Sequence, residues 1–314
     1  MTDTAIKIKS LAKELGFSII GITGNQPFED QNNAYVSWLK NNYHADMHYM
    51  KRNITKRFSP KELFPETQSV ISLGFNYYHP PVESSSGIRI SMYAYGEDYH
   101  KVLKDKAKNI VALIKTLHPE SSSRVFVDSA PVFERAAAVR AGLGWIGKNC
   151  TLINPEYGSF LFLTEIFTSL QLPVDDTVTT PYCGDCNRCI EACPTGALNA
   201  PFLLDANRCI TYQNSVNRSE IPGSMHGKMA GYIYGCDICQ LVCPYNNRLK
   251  RHSEPRFLPS DQLLHIQWKD LTKEEFNSLF KKSVIKSVGY NKLMNNIRFV
   301  EYKDHSFPQE NEEK

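Results

Sequence analysis

The chain has 314 residues, 42% of them hydrophobic, and a formal net charge of +3. That suffices for two or three domains with a buried core, and the charge is too small to argue a nucleic-acid partner by itself. No run of about eighteen apolar residues, the least a membrane helix needs, occurs anywhere, and no secretory leader is visible, so a cytoplasmic protein without a membrane span is expected.

The first residues read as an amphipathic helix, with Ala5, Ile8, Ala12 and Leu15 on one face and Gly16 as its stop. Up to about residue 175, strand-like runs alternate with helical ones. Aromatic and β-branched residues mark strands at 17–22, 69–75, 124–128 and 160–167. The period of Leu103, Ala107, Ile110, Ile114 and Leu117 marks a helix, and a second is expected from Pro131, favoured in a first turn, to Gly142, favoured as a stop. Sheet order is not legible. Pro173 and Pro181 bracket a threonine-rich linker, VDDTVTT, after which a cysteine-rich module follows. Beyond Pro259 the segment from Leu271 to Val300 is helical in pattern, with Phe276, Leu279, Phe280 and Ile285 apolar, and the tail HSFPQENEEK is expected to be disordered. The expected boundaries are therefore 1–175, 176–255 and 256–314.

Eight of nine cysteines fall in two runs, Cys183, Cys186, Cys189 and Cys193 before Pro194, and Cys209 followed by Cys236, Cys239 and Cys243 before Pro244. Three thiolates from one tight loop with a fourth from elsewhere is the ligand pattern of a 4Fe-4S cluster, and in ferredoxin-like modules the Cys-Pro cysteine of one run serves the other cluster. One cluster is thus assigned to Cys183, Cys186, Cys189 and Cys243, the second to Cys193, Cys209, Cys236 and Cys239. Disulfides would need an oxidising compartment, and zinc would not explain three cysteines on one loop followed by Cys-Pro. Cys150 lacks any partner spacing and reads as a small buried residue.

An electron-carrying module needs something to reduce. In the first domain Gly142, Gly144 and Gly147 surround Trp145, which fits either a helix end with a tight loop or a close approach to a ligand. Neither a nucleotide G-x-G-x-x-G nor a Walker loop is present, so nicotinamide binding is unsupported. Asp128 ends an expected strand before an expected helix; it suits a helix N-cap and equally a reactive carboxylic acid that burial keeps protonated. The polar-aromatic run Tyr95 to His100 reads slightly better as a surface loop. Basic residues crowd three stretches, around 51–61, 248–256 and 281–286.

The ordered segments KRFSPKELFPETQSVISLG, YGEDYHKVLK, VDSAPVFERAAA, AGLGWIGKNCTLINPEYGS, CGDCNRCIEACPTGAL and YGCDICQLVCPYN resemble epoxyqueuosine reductases, from near the N-terminus to about residue 300. The resemblance implies an α+β fold: a nitroreductase-like, reductive-dehalogenase-like cobalamin domain, then a ferredoxin-like domain with two 4Fe-4S clusters and a short helical C-terminus. It implies reduction of epoxyqueuosine to queuosine at the tRNA wobble position by a base-off cobalamin, in keeping with the missing D-x-H-x-x-G ligand motif. Asp128 resembles the proton donor; Arg57 would contact a corrin amide or phosphate, and Leu152 and Leu163 would meet the corrin through backbone groups. Lys250, Arg251, Lys281 and Lys282 would hold the anticodon stem-loop, and a ferredoxin- or flavodoxin-like protein would supply electrons to a monomer. The resemblance is imperfect in two places. Many members continue into C-terminal helical repeats that contact tRNA, and residues 210–216 depart from the usual stretch after Cys209. A reductive dehalogenase would share the cofactors but usually carries a twin-arginine signal, which is not seen here. A non-catalytic iron-sulfur subunit would leave the first domain without a task, and a cobalamin carrier would not need two clusters.

Overall fold

The four runs expected as strands pair into one antiparallel sheet in the spatial order Ile19–Gly24, Ser69–Asn76, Leu161–Thr168, Ser123–Phe126. This is a computed structural model that describes residues 1–82, 86–177 and 183–301; part of the threonine-rich linker and the C-terminal tail lie outside the described residues. Helix α1 (Thr2–Glu14) buries Ala5, Ile8 and Ala12 and ends at Gly16, whose φ is +92°. Then come β1 (Ile19–Gly24), α2 (Glu29–Lys40), the short helices α3 (Ile54–Phe58) and α4 (Pro60–Leu63), β2 (Ser69–Asn76) and β3 (Arg89–Ile90). The long helix α5 (Tyr99–Leu117) precedes β4 (Ser123–Phe126), α6 (Glu134–Arg140), a small hairpin of β5 (Trp145–Ile146) and β6 (Leu152–Ile153), and β7 (Leu161–Thr168).

Side chains alternate across a strand, and here the two faces have different tasks. Ile71, Leu73, Phe162 and Ile166 join Ile8, Ala12, Leu103 and Ile110 in the main core under α1 and α5. The opposite face sends Val70, Phe126 and Phe167 towards Ala137 of α6. Every residue of β2 is buried, as a strand covered on both faces requires. On the α6 face, Ser72 pairs with Glu165 across the β2–β7 ladder, and Phe126 pairs with Glu165 across the β4–β7 ladder. A carboxyl is thereby set into the middle of an apolar layer.

Helix α6 starts later than Pro131 suggests. Its N-cap is Phe133, and Pro131 sits in a tight turn closed by the Val132 N–H on the Ala130 carbonyl at 2.8 Å, which the fixed φ of proline favours. Asp128 is therefore not the helix cap.

The cysteine module holds α7 (Arg188–Glu191), β8 (Leu198–Ala200), β9 (Leu203–Leu204), β10 (Tyr232–Tyr234) and α8 (Ile238–Leu241). It is stitched to the first domain. Strand β10 pairs in parallel with β3, and the buried Asp237 carboxylate accepts from Ser91 Oγ and from the Met92 N–H at 2.9 Å. The divergent stretch after Cys209 is a π-helical turn, Tyr212–Val216. Its Asn214 is fully buried, donating to the Tyr232 and Gly235 carbonyls and accepting from the Gly235 N–H, so this stretch braces the module rather than facing a ligand.

The C-terminal segment breaks into α9 (Asp261–Leu264), α10 (Lys273–Leu279) with a Thr272–Glu275 capping box, a 3-10 turn at Val284–Val288, and α11 (Tyr290–Glu301) after Gly289 at φ +79°. Phe276, Phe280, Ile285 and Leu293 pack into the same core as α1 and α5. The segment closes the first domain instead of standing apart from it.

Candidate active site

A cavity of about 870 Å³ opens over the α6 face of the sheet, and Tyr35, Tyr49, Arg57, Asp128, Glu134 and Cys150 are among its lining residues. Asp128 lies just beyond β4 at φ +53°. Its carboxylate accepts from the Tyr99 hydroxyl and stands 3.3 Å from His100 Nε2. Tyr99 and His100 open α5, whose N-cap Asp98 accepts from the His100 N–H and from His100 Nδ1 at 2.7 Å. The run read as a surface loop thus delivers two side chains to Asp128. Tyr99 is held flat against Phe162, ring centroids 4.2 Å apart at 7°.

The electrostatics follow from these contacts. The hydrogen bond with His100 holds the Asp128 carboxyl below its usual range, against the opposing effect of desolvation and with help from Tyr99. For His100, burial works against the charged form, but hydrogen bonds to Asp128 and Asp98 outweigh it and push the imidazole up to about 9. Near neutrality the pair is therefore imidazolium and carboxylate. The expectation that burial keeps the proton on Asp128 itself is not met, because 58% of that side chain is open to the cavity and its partners favour the anion.

Two carboxyls that the sequence reading passed over stand behind it. Glu134 Oε1 accepts the Asp128 backbone N–H, and burial, then the charge of Asp128, push its carboxyl up to about 8. Glu165 is completely buried; burial raises it well above the usual range, with Glu134 adding to this. Ser72 Oγ donates to its Oε1 at 3.2 Å, and its Oε2 has no partner, as suits a neutral acid. The available signal was a lone glutamate within the apolar run LFLTEIFT.

The expected cofactor contacts divide. Arg57 lines the cavity, its guanidinium 5.5 Å from the Tyr35 ring centroid and its buried Nε without a partner. Leu152 and Leu163 do not line it; they pack beside Val139 and Ile146, which do. The glycine-rich run forms the β5–β6 hairpin. A side chain at Gly144 would meet the Ile153 carbonyl at 2.1 Å, so a close backbone crossing explains that glycine. Cys150, at the hairpin tip, lines the cavity, and its carbonyl accepts from Arg135.

This hairpin reaches both cysteine runs. Asn149 Nδ2 donates to the Cys239 carbonyl at 3.4 Å, Lys148 Nζ to Asn187 at 3.0 Å, and Trp145 and Ile153 pack with Cys243 and Cys183. Burial raises the Cys243 thiol, and the cysteines adding to the rise are Cys183, Cys189 and Cys186. Burial likewise raises Cys239, followed by Cys236, Cys209 and Cys193. Cys243 thus lies within electrostatic reach of the first run's thiols, and Cys239 within reach of Cys193. Among the described residues no three His, Cys, Asp or Glu side chains close around a single ion, and thiols that grip a cubane stand farther apart than those that grip zinc.

Residues 57–129 match the family model described as "Epoxyqueuosine reductase QueG, DUF1730", and residues 182–246 match a 4Fe-4S double cluster binding domain. An epoxyqueuosine reductase of Cyclobacterium marinum is 44% identical over 93% of this chain and 95% of its own. The chain belongs to the epoxyqueuosine reductase family. It is an oxidoreductase with a double-cluster domain, and its fold is that of solved epoxyqueuosine reductases. One of these, crystallised with an epoxyqueuosine-modified tRNA-Tyr stem loop, superposes with a TM-score of 0.85 at 28% identity, over 95% of this chain and 80% of that one. Another, from Bacillus subtilis, has its catalytic aspartate loop swung out of the active site (TM-score 0.84, 27% identity, 95% and 81% coverage).

The four basic residues expected at an epoxyqueuosine reductase's RNA surface, Lys250, Arg251, Lys281 and Lys282, are all exposed. Lys282 pairs with Glu97 at 3.2 Å. Arg256, in the same basic stretch as Lys250, is instead engaged by Glu254 at 2.8 Å. Among the described residues no helix is long and apolar enough to cross a membrane.

Proposed function

We propose that this chain reduces epoxyqueuosine to queuosine in the tRNA anticodon loop, using a base-off cobalamin in the 870 Å³ cavity, two 4Fe-4S clusters on the crossed cysteine sets, and Asp128 as the proton donor. The observation that carries this reading is the convergence of Tyr99 and His100 on Asp128 in the lining of a cavity that is also lined by the hairpin touching both cysteine runs. The cavity volume is in the upper range for bound cofactors, and the orphaned Arg57 Nε suits a corrin amide or phosphate oxygen. His100, the histidine on the lining, is committed to Asp98 and Asp128, which suits a corrin without a histidine ligand. When bound, cobalamin supplies the strongly reducing centre that an epoxide demands.

Removing the epoxide oxygen as water to leave an alkene takes two electrons and two protons. The Asp128–His100 pair holds one proton at rest, mostly on the imidazole. As negative charge develops on the opening oxygen, the imidazolium proton passes through Asp128 to that oxygen, and the second proton enters from water through the exposed Asp128 side chain. General acid help of this kind is worth ~10²–10⁴ in rate. Lys250, Arg251, Lys281 and Lys282 would meet backbone phosphates while the modified base enters the cavity. An external ferredoxin- or flavodoxin-like donor would feed the clusters one electron at a time, to a monomer in the cytoplasm. The loop bearing Asp128 is assigned the part of the mobile aspartate loop of the Bacillus subtilis relative.

The test is Asp128→Asn, which still accepts from Tyr99 but cannot carry the proton. Single-turnover nucleoside analysis with chemically reduced enzyme should show conversion slowed by ~10² or more, with cluster and cobalamin content unchanged. Near-normal turnover would remove Asp128 from the chemistry.

A further inference from the structure

Asp128 occupies a conformation that is uncommon for a non-glycine residue. Its φ is +53°, at the centre of a three-residue turn closed by the Ser129 N–H on the Val127 carbonyl. Such turns are strained and persist only where the surroundings hold them. The other main-chain bonds of this loop are internal: Val132 to Ala130 and Ser129 Oγ to the Val127 carbonyl. Among the described residues, the outside hold on the loop's backbone is the Glu134 carboxyl, which accepts the Asp128 N–H. Glu134 is itself fixed, standing in the first turn of α6, whose Ala137 is buried against Val70 and Phe167 of the sheet.

We propose that Glu134 is the positioning residue of this site, the latch that keeps the Asp128 loop turned inward, and that the latch weakens as Glu134 ionises. This deepens the proton-donor reading and rests on it for its catalytic consequence, though not for its structural one. The groups facing Glu134 are Asp128 from the loop, Arg135 on its own helix, His100 from α5 and Glu165 from β7. Burial and Asp128 hold its carboxyl at about 8, above its ordinary 4.5. A neutral Glu134 accepts the N–H without opposing Asp128; an ionised one sets a second negative charge beside that carboxylate. If the outward loop restores an ordinary acid, the inward state is most favoured below about 4.5, weakens progressively as pH rises, and is weakest above about 8.

Glutamine keeps the acceptor and cannot ionise; alanine removes both. Amide exchange of the segment 127–133 is compared between variants at equal pH in the full chain without cobalamin, so that intrinsic exchange cancels. Glu134→Ala should exchange at least ~10-fold faster than the parent at pH 6, whereas Glu134→Gln should stay protected and become slower than the parent at pH 8.5. In single turnover, Glu134→Ala should lose at least ~10-fold in rate with tRNA affinity unchanged, and Glu134→Gln should flatten the alkaline decline. Parent-like exchange in the alanine variant, or alanine-like exchange in the glutamine variant, overturns the proposal. Should the alanine protein fail to fold, the near-isosteric glutamine variant decides on its pH dependence alone. Because exchange is read without turnover, its outcome stands apart from that of Asp128→Asn.

Discussion

Replacing His100 by glutamine, which keeps a donor but cannot titrate, tests where the resting proton lies. The imidazole is pushed up from 6.5 to about 9 by its two carboxylates acting against burial. At about 1.4 kcal/mol per pH unit that preference is worth ~3 kcal/mol, and since the side chain is 35% exposed solvent screening reduces it to ~1–2 kcal/mol. A group whose pKa is higher folded than unfolded stabilises fully below the unfolded value and ceases to as pH rises through the folded one. The contribution is thus complete below about 6.5 and gone above about 9. Glu134 titrates in the same window, so the comparison belongs in a Glu134→Gln background. There, thermal melting at pH 6 should place the protein with His100 ~1.5–3 °C above the one with glutamine, and by pH 9.5 the gap should close. A gap that is constant or widens with pH would mean that His100 is neutral at rest, and would refute the imidazolium–carboxylate pair.

Two further outcomes are expected. Cys243→Ala should lower iron from about eight to about four per chain, with the cluster of Cys183, Cys186 and Cys189 lost, as read by iron analysis and EPR; loss of the cluster of Cys236 and Cys239 instead would disprove the crossed ligation. Changing Lys250 and Arg251 together to glutamine should weaken stem-loop binding and reduce the slope of log affinity against log salt by ~1–2, and an unchanged slope would place both side chains in free solvent.

Local chemistry was legible and long-range pairing was not. The four strands, the α5 period and the α1 stop at Gly16 each declare themselves within a few residues, and each is where the sequence puts it to within two or three positions. The order β1-β2-β7-β4 depends on partners far apart in the chain, which no window reveals. Pro131 misled because its fixed φ serves a tight turn as well as a first helical turn. The site was half visible. Asp128 and Arg57 could be named from the family resemblance, but the carboxyls around Asp128 depend on strand register and helix start: Glu165 lies opposite both Ser72 and Phe126, and helix α6 starts late enough to aim Glu134 back at Asp128. Tyr99 and His100 were noticed as a cluster and mistaken for surface, since nothing local shows that the first turn of a helix overlooks a cavity.

The seam joining β10 to β3, with Asp237 locked onto Ser91 and Met92, bears on speed. Where a redox module swings on a hinge, each electron waits for the module to arrive, and turnover follows the rhythm of that swing. Here Asp237, between Cys236 and Cys239, is sewn to the chain just ahead of α5, so under the proposed function the tunnelling distance is set once, when the chain folds. On that proposal, collision with an outside donor is the remaining encounter, and a loosened seam would slow internal transfer without altering that collision.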